Sequence, residues 1–197
     1  MSLIPKHAAC LTCLVIAAFG SPLMAQQAFD KEFAASEMQR AIDKPDTRVT
    51  LKVEASQQRV FDALLKQVDR YSDDAVNVSF DHSNSEQPGS LGVGTIRKTE
   101  MENGDLLYQR IIHVNEPESF SYFTDMTLSS VSVPLDYTVG YYLLTQASTS
   151  TVQATVSVAY QPSSRLTGFL VKRLFNRAVR QDFAKAEQFL NAEGKGT

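Results

Sequence analysis

The fold is decided by residues 152–190, which read VQATVSVAYQPSSRLTGFLVKRLFNRAVRQDFAKAEQFL. Apolar side chains alternate with more polar ones from Val152 to Tyr160, which is typical of a half-buried strand. After Pro162 the apolar spacing changes to three and four residues, and it continues to Leu190. This spacing predicts one amphipathic helix of about seven turns. A strand followed by such a helix indicates a sheet that packs on its closing helix.

The upstream sequence predicts the rest of that sheet. Residues 47–53 alternate as a strand, and Ser56 is suited to cap the helix that follows. A meander of about six short strands then runs to Tyr160, with Asn103-Gly104 as a strong turn signal. One face of an antiparallel sheet must be buried, and the last helix is long and apolar enough to cover it. The predicted fold class is therefore α+β, with a curved antiparallel β-sheet wrapped around a long C-terminal helix.

The first 25 residues have the layout of a secretory signal peptide. Lys6 precedes the apolar residues 8–19, and residues 20–25 end in Ala25. The apolar run is shorter than the roughly 20 residues that a membrane-spanning helix needs. We therefore expect export across the inner membrane to the periplasm. Residues 26–47 are predicted to be a lead-in segment that packs on the domain or acts as a tether, and residues 48–191 form the main domain.

Composition and motifs exclude several kinds of function. Cys10 and Cys13 both lie in the predicted signal peptide, so we expect no disulfide and no thiolate site in the exported chain. A net charge of −3 gives a nucleic-acid partner no electrostatic support. His82 and His113 lack the partners and spacing of a metal site, and no catalytic motif is recognisable. The sequence therefore predicts no metal, no cofactor and no dedicated catalytic residues.

Four features occur in a recognisable order along residues 48–190. They are Val49 to Ser56 followed by Val60 to Leu65, then Gly92-Val93-Gly94-Thr95, then the Asn115-Glu116-Pro117 turn, and finally the closing helix. This order resembles the START-like (SRPBCC) helix-grip superfamily, which includes polyketide cyclases, lipid-transfer START domains, Bet v 1-like proteins and coenzyme Q-binding proteins. The resemblance implies a cavity between the sheet and the closing helix that binds a hydrophobic ligand. It also implies that catalysis is the less common role.

Seven residues are the predicted ligand-binding set, because aromatic walls with a few polar tips suit an amphipathic ligand. They are Tyr108, Arg110, Phe123, Tyr137, Tyr141, Phe169 and Phe175. The competing interpretation is that each aromatic residue simply fills the core. Arg110 is ambiguous, because it could share a face with Ile112 and Val114, whereas Leu107 and Ile111 define the other face.

Two surface features could contact a membrane or close over a ligand. Arg173, Arg177 and Arg180 share helical spacing and could touch anionic lipid headgroups, although a solvated helix face is the default. Residues 127–135 could form a flap. Three functions stay open at this point: a carrier or sensor of a lipid, quinone or polyketide-like molecule; a cyclase, dehydratase or hydrolase using the same cavity; and an envelope interaction protein with a filled core. The sequence sets no oligomeric state.

Overall fold

The computed structural model describes residues 29–164 and 168–193. The predicted signal peptide, residues 1–25, lies outside them. In chain order the elements are α1 (Lys31–Asp43), β1 (Thr47–Val53), α2 (Gln57–Lys66), a 3₁₀ helix (Val68–Arg70), β2 (Ala75–Asp81), β3 (Ile96–Met101), β4 (Leu106–Asn115), β5 (Ser119–Asp125), β6 (Leu135–Gln146), β7 (Val152–Pro162) and α3 (Gly168–Glu193).

The seven strands form one antiparallel sheet in the order β1-β7-β6-β5-β4-β3-β2. The meander from β2 to β7 pairs each strand with its neighbour in sequence, and β1 adds to the far side of β7. The sheet is curved and carries the long closing helix α3, so the predicted α+β helix-grip fold is confirmed. None of the described helices is long and apolar enough to cross a membrane.

The two helices after β1 and β7 share the concave face of the sheet, where the main core lies. Phe61 of α2 packs edge-on against Phe120 of β5, with ring centroids 5.3 Å apart. Phe120 stacks on Tyr142 of β6 at 4.2 Å, and Tyr142 meets Phe183 of α3 at 5.8 Å. Burying each Phe side chain stabilises the fold by about 1.5–3 kcal/mol. Ser56 caps α2 as predicted, because its side chain accepts a hydrogen bond from the Arg59 amide.

The closing helix α3 is fixed to the sheet along the edge strand β1. The Asn191 side chain accepts a hydrogen bond from the Glu54 amide at 2.9 Å and donates one to the Lys52 carbonyl at 3.2 Å. Glu187 accepts from the Lys52 amide at 2.8 Å. Backbone groups at a sheet edge have no strand partner on the outer side, so these side chains satisfy them. The helix is therefore positioned by its C-terminal half.

A second layer covers the opposite, convex face of the sheet. There, α1 buries Ala34 and Ala41 against the central strands. Phe33 meets Tyr137 edge-on at 5.2 Å, and Phe29 meets Phe123 at 5.5 Å. Of the two alternatives for the lead-in segment, α1 adopts the packed one. The central strands are consequently buried on both faces, and β5 loses the alternating burial of a one-sided strand.

Asp46 joins three elements at the start of β1. Its carboxylate accepts hydrogen bonds from Arg40 Nη1 of α1 at 2.8 Å and from Lys172 Nζ of α3 at 3.0 Å. It also accepts one from the Tyr160 amide of β7 at 3.2 Å. Because α1 and α3 lie on opposite faces of the sheet, this single side chain connects both helical layers.

Candidate functional site

The structure places five of the seven predicted ligand-binding residues on the convex face of the sheet, away from α3. Arg110 lies over the Phe29 ring at 4.7 Å, and Phe123 stacks on Tyr137 at 5.4 Å. Tyr141 belongs to the same α1-facing cluster. Tyr108 follows the convex phase of β4, because it pairs with Lys98 and alternates with the concave-facing Gln109. These five side chains therefore lie outside the space between the sheet and the closing helix, where the resemblance implied a ligand cavity.

A bulge in β4 explains why the sequence left the face of Arg110 ambiguous. The β4–β5 register shifts between Ile111 and His113, so two consecutive residues leave the concave face. Ile111 and Val114 consequently both belong to the concave core, although their spacing is three. Arg110 thus shares the convex face with Ile112 and not with Val114, which resolves the ambiguity that strict alternation leaves. Burial lowers the pKa of Arg110, against the opposing influence of Asp125 and Asp81.

The two candidates on α3 have opposite positions. Phe175 faces the sheet and meets Tyr160 edge-on at 4.8 Å. Phe169 is 73% exposed, in the first turn of the helix. Of the predicted set, Phe175 alone therefore borders the concave face.

A row of polar side chains crosses the concave face, one from each of five successive strands. Register pairs Arg97 with Gln109, Gln109 with Thr124, Thr124 with Thr138, and Thr138 with Tyr160. We call these five residues the polar row. Tyr160 ends the row by donating a hydrogen bond from its hydroxyl to Asn176 Oδ1 of α3 at 2.8 Å. Polar groups in register across a concave face give that face an amphipathic character.

Arg97 is the charged member of the polar row, and it is only 3% exposed. Its Nη1 donates to the carbonyls of Leu64 and Leu65, at 3.3 and 2.9 Å. Its Nε and Nη2 both donate to Gln109 Oε1, at 2.9 and 2.5 Å. Those two carbonyls belong to the last turn of α2, which carries the negative end of the helix dipole. The guanidinium is thus held by neutral acceptors.

Three tyrosines surround the guanidinium of Arg97. It lies 4.8 Å from the centroid of the Tyr122 ring, and the Tyr122 and Tyr142 hydroxyls are hydrogen-bonded at 2.8 Å. Burial raises the pKa of Tyr71, and the charge of Arg97 opposes that rise. Burial likewise raises the pKa of Tyr142. The phenols of Tyr71 and Tyr142 therefore stay neutral at physiological pH and can act as hydrogen-bond donors.

Gly140 makes room for this tyrosine pair. A Cβ at this position would lie 3.1 Å from Tyr122 Cζ and 3.1 Å from Tyr142 Cε2. Both contacts are tighter than an ordinary van der Waals contact, so a larger side chain would displace the rings. The residue type at 140 is thus set by the packing of the two phenols.

One carboxyl group of α3 is also perturbed. Burial raises the pKa of Asp182; Lys185 opposes the rise, and Asp74 and Asp73 add to it. Asp182 also adds to the raised pKa of Tyr71, so the two groups are close enough to interact. Active sites often contain a half-buried acid with a raised pKa.

Apolar residues around the polar row keep partial accessibility although they pack against the core. They include Met126 at the end of β5, and Phe175 and Val179 on α3. Tyr122, in the middle of the sheet, is also only partly buried. The concave face consequently combines the polar row with a partly accessible apolar wall.

The two histidines are separate from this arrangement and from each other. His82 Nδ1 is 3.1 Å from Thr95 Oγ1, and His113 Nε2 is 2.8 Å from Ser119 Oγ. Burial lowers the pKa of His113. Within residues 29–164 and 168–193, no group of three or more His, Cys, Asp or Glu side chains could hold a metal ion.

The polar row could be recognised only in part from the sequence. Tyr160 lies in a strand whose apolar residues alternate regularly, whereas Thr124 lies in β5, which is buried on both faces, and Gln109 lies just before the β4 bulge. Arg97 is followed by Lys98, and the short run from Ile96 to Met101 shows little contrast between its two faces. Thr138 is the member of the polar row that the sequence indicates best, because it is a polar residue between the larger residues Tyr137 and Val139.

No family model matches the chain, and no curated protein matches it. Solved structures do. XoxI from Bacillus cereus superposes with a TM-score of 0.57 at 13% identity, over 75% of this chain and 96% of that protein. Ara h 8.0201 gives 0.55 at 14% identity, over 73% and 95%. DynU16, from the dynemicin biosynthetic locus, gives 0.51 at 13%, over 73% of this chain and 46% of its own length.

These similarities are far below the identity at which relatives share a function, so they bear on architecture alone. Each covers about three quarters of the chain. The chain has the Bet v 1-like, START-like helix-grip fold that its sequence resembles.

Proposed function

We propose that this protein is an exported binding protein that holds a small hydrophobic or amphipathic ligand between the concave face of the sheet and α3. The observation that carries the proposal is the polar row, which crosses a face that is otherwise apolar. A purely structural core gains little from five polar side chains in register, because each needs a hydrogen-bond partner when buried. An amphipathic ligand would use the same groups.

The partly accessible apolar wall supports this proposal. Met126, Phe175 and Val179 face the interior but retain solvent-accessible area. Well-packed interiors leave few spaces larger than a water molecule, so accessible apolar side chains next to the core favour an unfilled space. Ligand sites are typically mostly apolar with a few placed polar groups.

Export is proposed from the sequence of residues 1–25. Its short charged segment, apolar stretch and small residue at Ala25 are typical of a signal peptide. A periplasmic location also fits a chain whose cysteines all lie in that segment. The check is the mass of the protein recovered from the periplasm, which should lack the first 25 residues within a residue or two.

Binding is tested with a neutral fluorescent probe, N-phenyl-1-naphthylamine. We expect saturable binding by the wild-type protein, and roughly tenfold weaker binding by Thr138→Phe, whose larger ring would fill the proposed space. Leu143→Phe is the matched control, because Leu143 lies on the same strand but is exposed. It should bind like the wild type. No saturable binding by the wild-type protein would overturn the proposal.

An enzyme using the same cavity is the second candidate, and Asp182 is the observation that favours it. Its raised pKa suits a general acid, and Tyr71 is near enough to interact with it. A cyclase, dehydratase or hydrolase would convert a bound ligand, whereas a carrier would release it unchanged. Mass spectrometry of a ligand that co-purifies with wild-type and with Asp182→Asn protein separates the two: different molecules favour catalysis, and the same molecule favours a carrier.

The ligand would be exchanged at a membrane surface, and the first half of α3 is the proposed contact. Leu170 and Leu174 are 59% and 67% exposed, and Phe169 lies beside them. Arg173 and Arg177 are exposed on the same turns. Apolar side chains next to cations are typical of helices that lie on anionic bilayers.

Vesicle co-sedimentation tests this contact. We expect binding to vesicles that contain phosphatidylglycerol, weaker binding to pure phosphatidylcholine, and loss of both with the double change Leu170→Ser and Leu174→Ser. Leu143→Ser removes an exposed leucine elsewhere and should have no effect. Equal sedimentation of both leucine variants would rule out this surface.

A further inference from the structure

We propose that the ligand carries an anionic headgroup, a carboxylate or a phosphate, and that this headgroup binds Arg97. This inference rests on the proposed binding function and names the class of ligand. It follows from the state of the guanidinium, which is buried and charged and has only neutral protein groups as acceptors.

The buried guanidinium of Arg97 lacks a counter-charge among the described residues. Arginine stays protonated in proteins, so the concave face holds a full positive charge at a residue that is 3% exposed. None of the ion pairs formed by the described residues includes Arg97. The end of α2 supplies only a partial negative charge, on the order of half an electron. A buried charge without a counter-charge is costly, and an anionic ligand would compensate it.

The N–H donors of Arg97 outnumber its hydrogen bonds to the described residues. A guanidinium has five N–H groups. Its four hydrogen bonds go to the Leu64 and Leu65 carbonyls and twice to Gln109 Oε1. Within the described parts of the chain, one N–H on Nη2 therefore has no acceptor. An oxygen of a bound headgroup would satisfy it.

A second polar group without a hydrogen-bond partner lies near Arg97 on the same strand. The Thr99 hydroxyl is buried and has no hydrogen-bond partner among the described residues. Thr99 lies two residues along β3 from Arg97, about 7 Å away on the same face. A buried hydroxyl without a partner is rare in a folded protein. Thr99 and Arg97 together thus offer donors to the oxygens of one headgroup.

Gln109 and Thr124 keep the guanidinium in place for this role. Gln109 Oε1 accepts from two of its nitrogens, and Gln109 Nε2 donates to Thr124 Oγ1 at 3.2 Å. The Tyr122 ring covers one face of the guanidinium at 4.8 Å. The side chain is consequently fixed before any ligand binds, so little conformational entropy would be lost on binding.

The experiment compares headgroups on one hydrocarbon chain. Dodecanoic acid, monododecyl phosphate, dodecanol and methyl dodecanoate each compete with N-phenyl-1-naphthylamine for the wild-type protein at pH 7.5. We expect at least one of the two anions to displace the probe roughly tenfold better than the alcohol and the ester. The stronger anion identifies carboxylate or phosphate as the headgroup. The wild-type protein alone therefore tests whether the headgroup is anionic.

Variants then locate the preference. Arg97→Met should reduce the preference for anions to about threefold or less, and Arg97→Lys should retain part of it. Arg110→Met is the matched control, because Arg110 lies on the convex face and should leave the preference intact. Circular dichroism and probe affinity verify that each variant is folded.

The outcomes separate this inference from the proposed function. If the probe binds but all four compounds displace it equally, or none displaces it, the anionic headgroup is ruled out while a binding site remains. A preference that survives Arg97→Met also overturns the assignment to Arg97. If the probe itself does not bind, the proposed function fails, and this inference fails with it.

Discussion

Replacing Asp46 tests the connection between the two helical layers. Asp46→Ala removes the acceptor of three hydrogen bonds, from Arg40, Lys172 and the Tyr160 amide. The Asp46 side chain is 14% exposed, so its bond to Arg40 is screened only in part, whereas Lys172 is 51% exposed and contributes little. The alanine variant should lose about 3–4 kcal/mol of unfolding free energy, including the unsatisfied Tyr160 amide. Asp46→Asn should lose about 1–2 kcal/mol, because its amide oxygen still accepts.

The same residue predicts how stability depends on pH. Burial alone would raise the pKa of Asp46, but hydrogen bonds from Arg40 and Lys172 outweigh it and hold the pKa below its ordinary value of 3.8. A carboxyl whose pKa is lower in the folded state contributes its full stability above the unfolded pKa. That contribution is lost as the pH falls through the folded value. The difference between wild type and Asp46→Asn should therefore shrink below pH 4.

Urea unfolding followed by circular dichroism measures both effects, at pH 7 and over an acid series. Asp43→Ala is the control, because Asp43 is an exposed carboxylate on α1 whose side chain accepts from Gln39. It should change the unfolding free energy by no more than about 0.5 kcal/mol. The connecting role of Asp46 is refuted if Asp46→Ala behaves like that control, or if the difference between wild type and Asp46→Asn is as large at pH 3 as at pH 7.

Three further outcomes are expected. Phe123→Ala should lower the unfolding free energy, measured in urea, by about 3–5 kcal/mol, because its ring packs against Phe33 of α1. Leu143→Ala should lower it by less than about 1 kcal/mol, since Leu143 is exposed. Equal losses would contradict an α1 layer on the convex face. Gly104→Ala should lower the unfolding free energy by about 1 kcal/mol, since φ is +84° in the β3–β4 turn, and an unchanged midpoint would argue against that turn. Asp182→Asn should stabilise the protein at pH 7, because burial raises the pKa of Asp182 and so disfavours its charged form in the folded state. The protonated carboxyl contributes its full stability below the pKa of the unfolded state, and this contribution is lost as the pH rises through the folded pKa. The stability difference between Asp182→Asn and wild type should vanish in acid. An ordinary pKa for Asp182 in a carboxyl NMR titration would refute this prediction.

The sequence predicted the elements because their periodicity is local. Val152 to Tyr160 alternates regularly, and its apolar residues do line the core beneath α3. The order of strands also follows from the short connections in the meander, since neighbours in sequence pair in antiparallel sheets. These features need no knowledge of what the other face of the sheet contacts.

The candidate site was less predictable, because it depends on phase and on a second layer. Phe123 and Tyr137 look like pocket residues until α1 is known to cover the convex face. The bulge after Ile111 changes the face of every residue beyond it, and no single strand signals it. The polar row depends on register across five strands, so it exists only once they are aligned. Buried Arg97 was invisible for a similar reason, since its acceptors come from the end of α2.

The pairing of the first strand with the last has a consequence for how the chain acquires its structure. Thr47 pairs with Val158, and α1 rests on β6 and β7, so α1 and β1 cannot complete their contacts until those two strands have been synthesised. Closing so long a loop precedes any gain from the contacts, and topologies dominated by such distant pairings fold in milliseconds to seconds rather than microseconds. The strand β1 and the helix α1 consequently remain without their partners until the β6–β7 hairpin has formed.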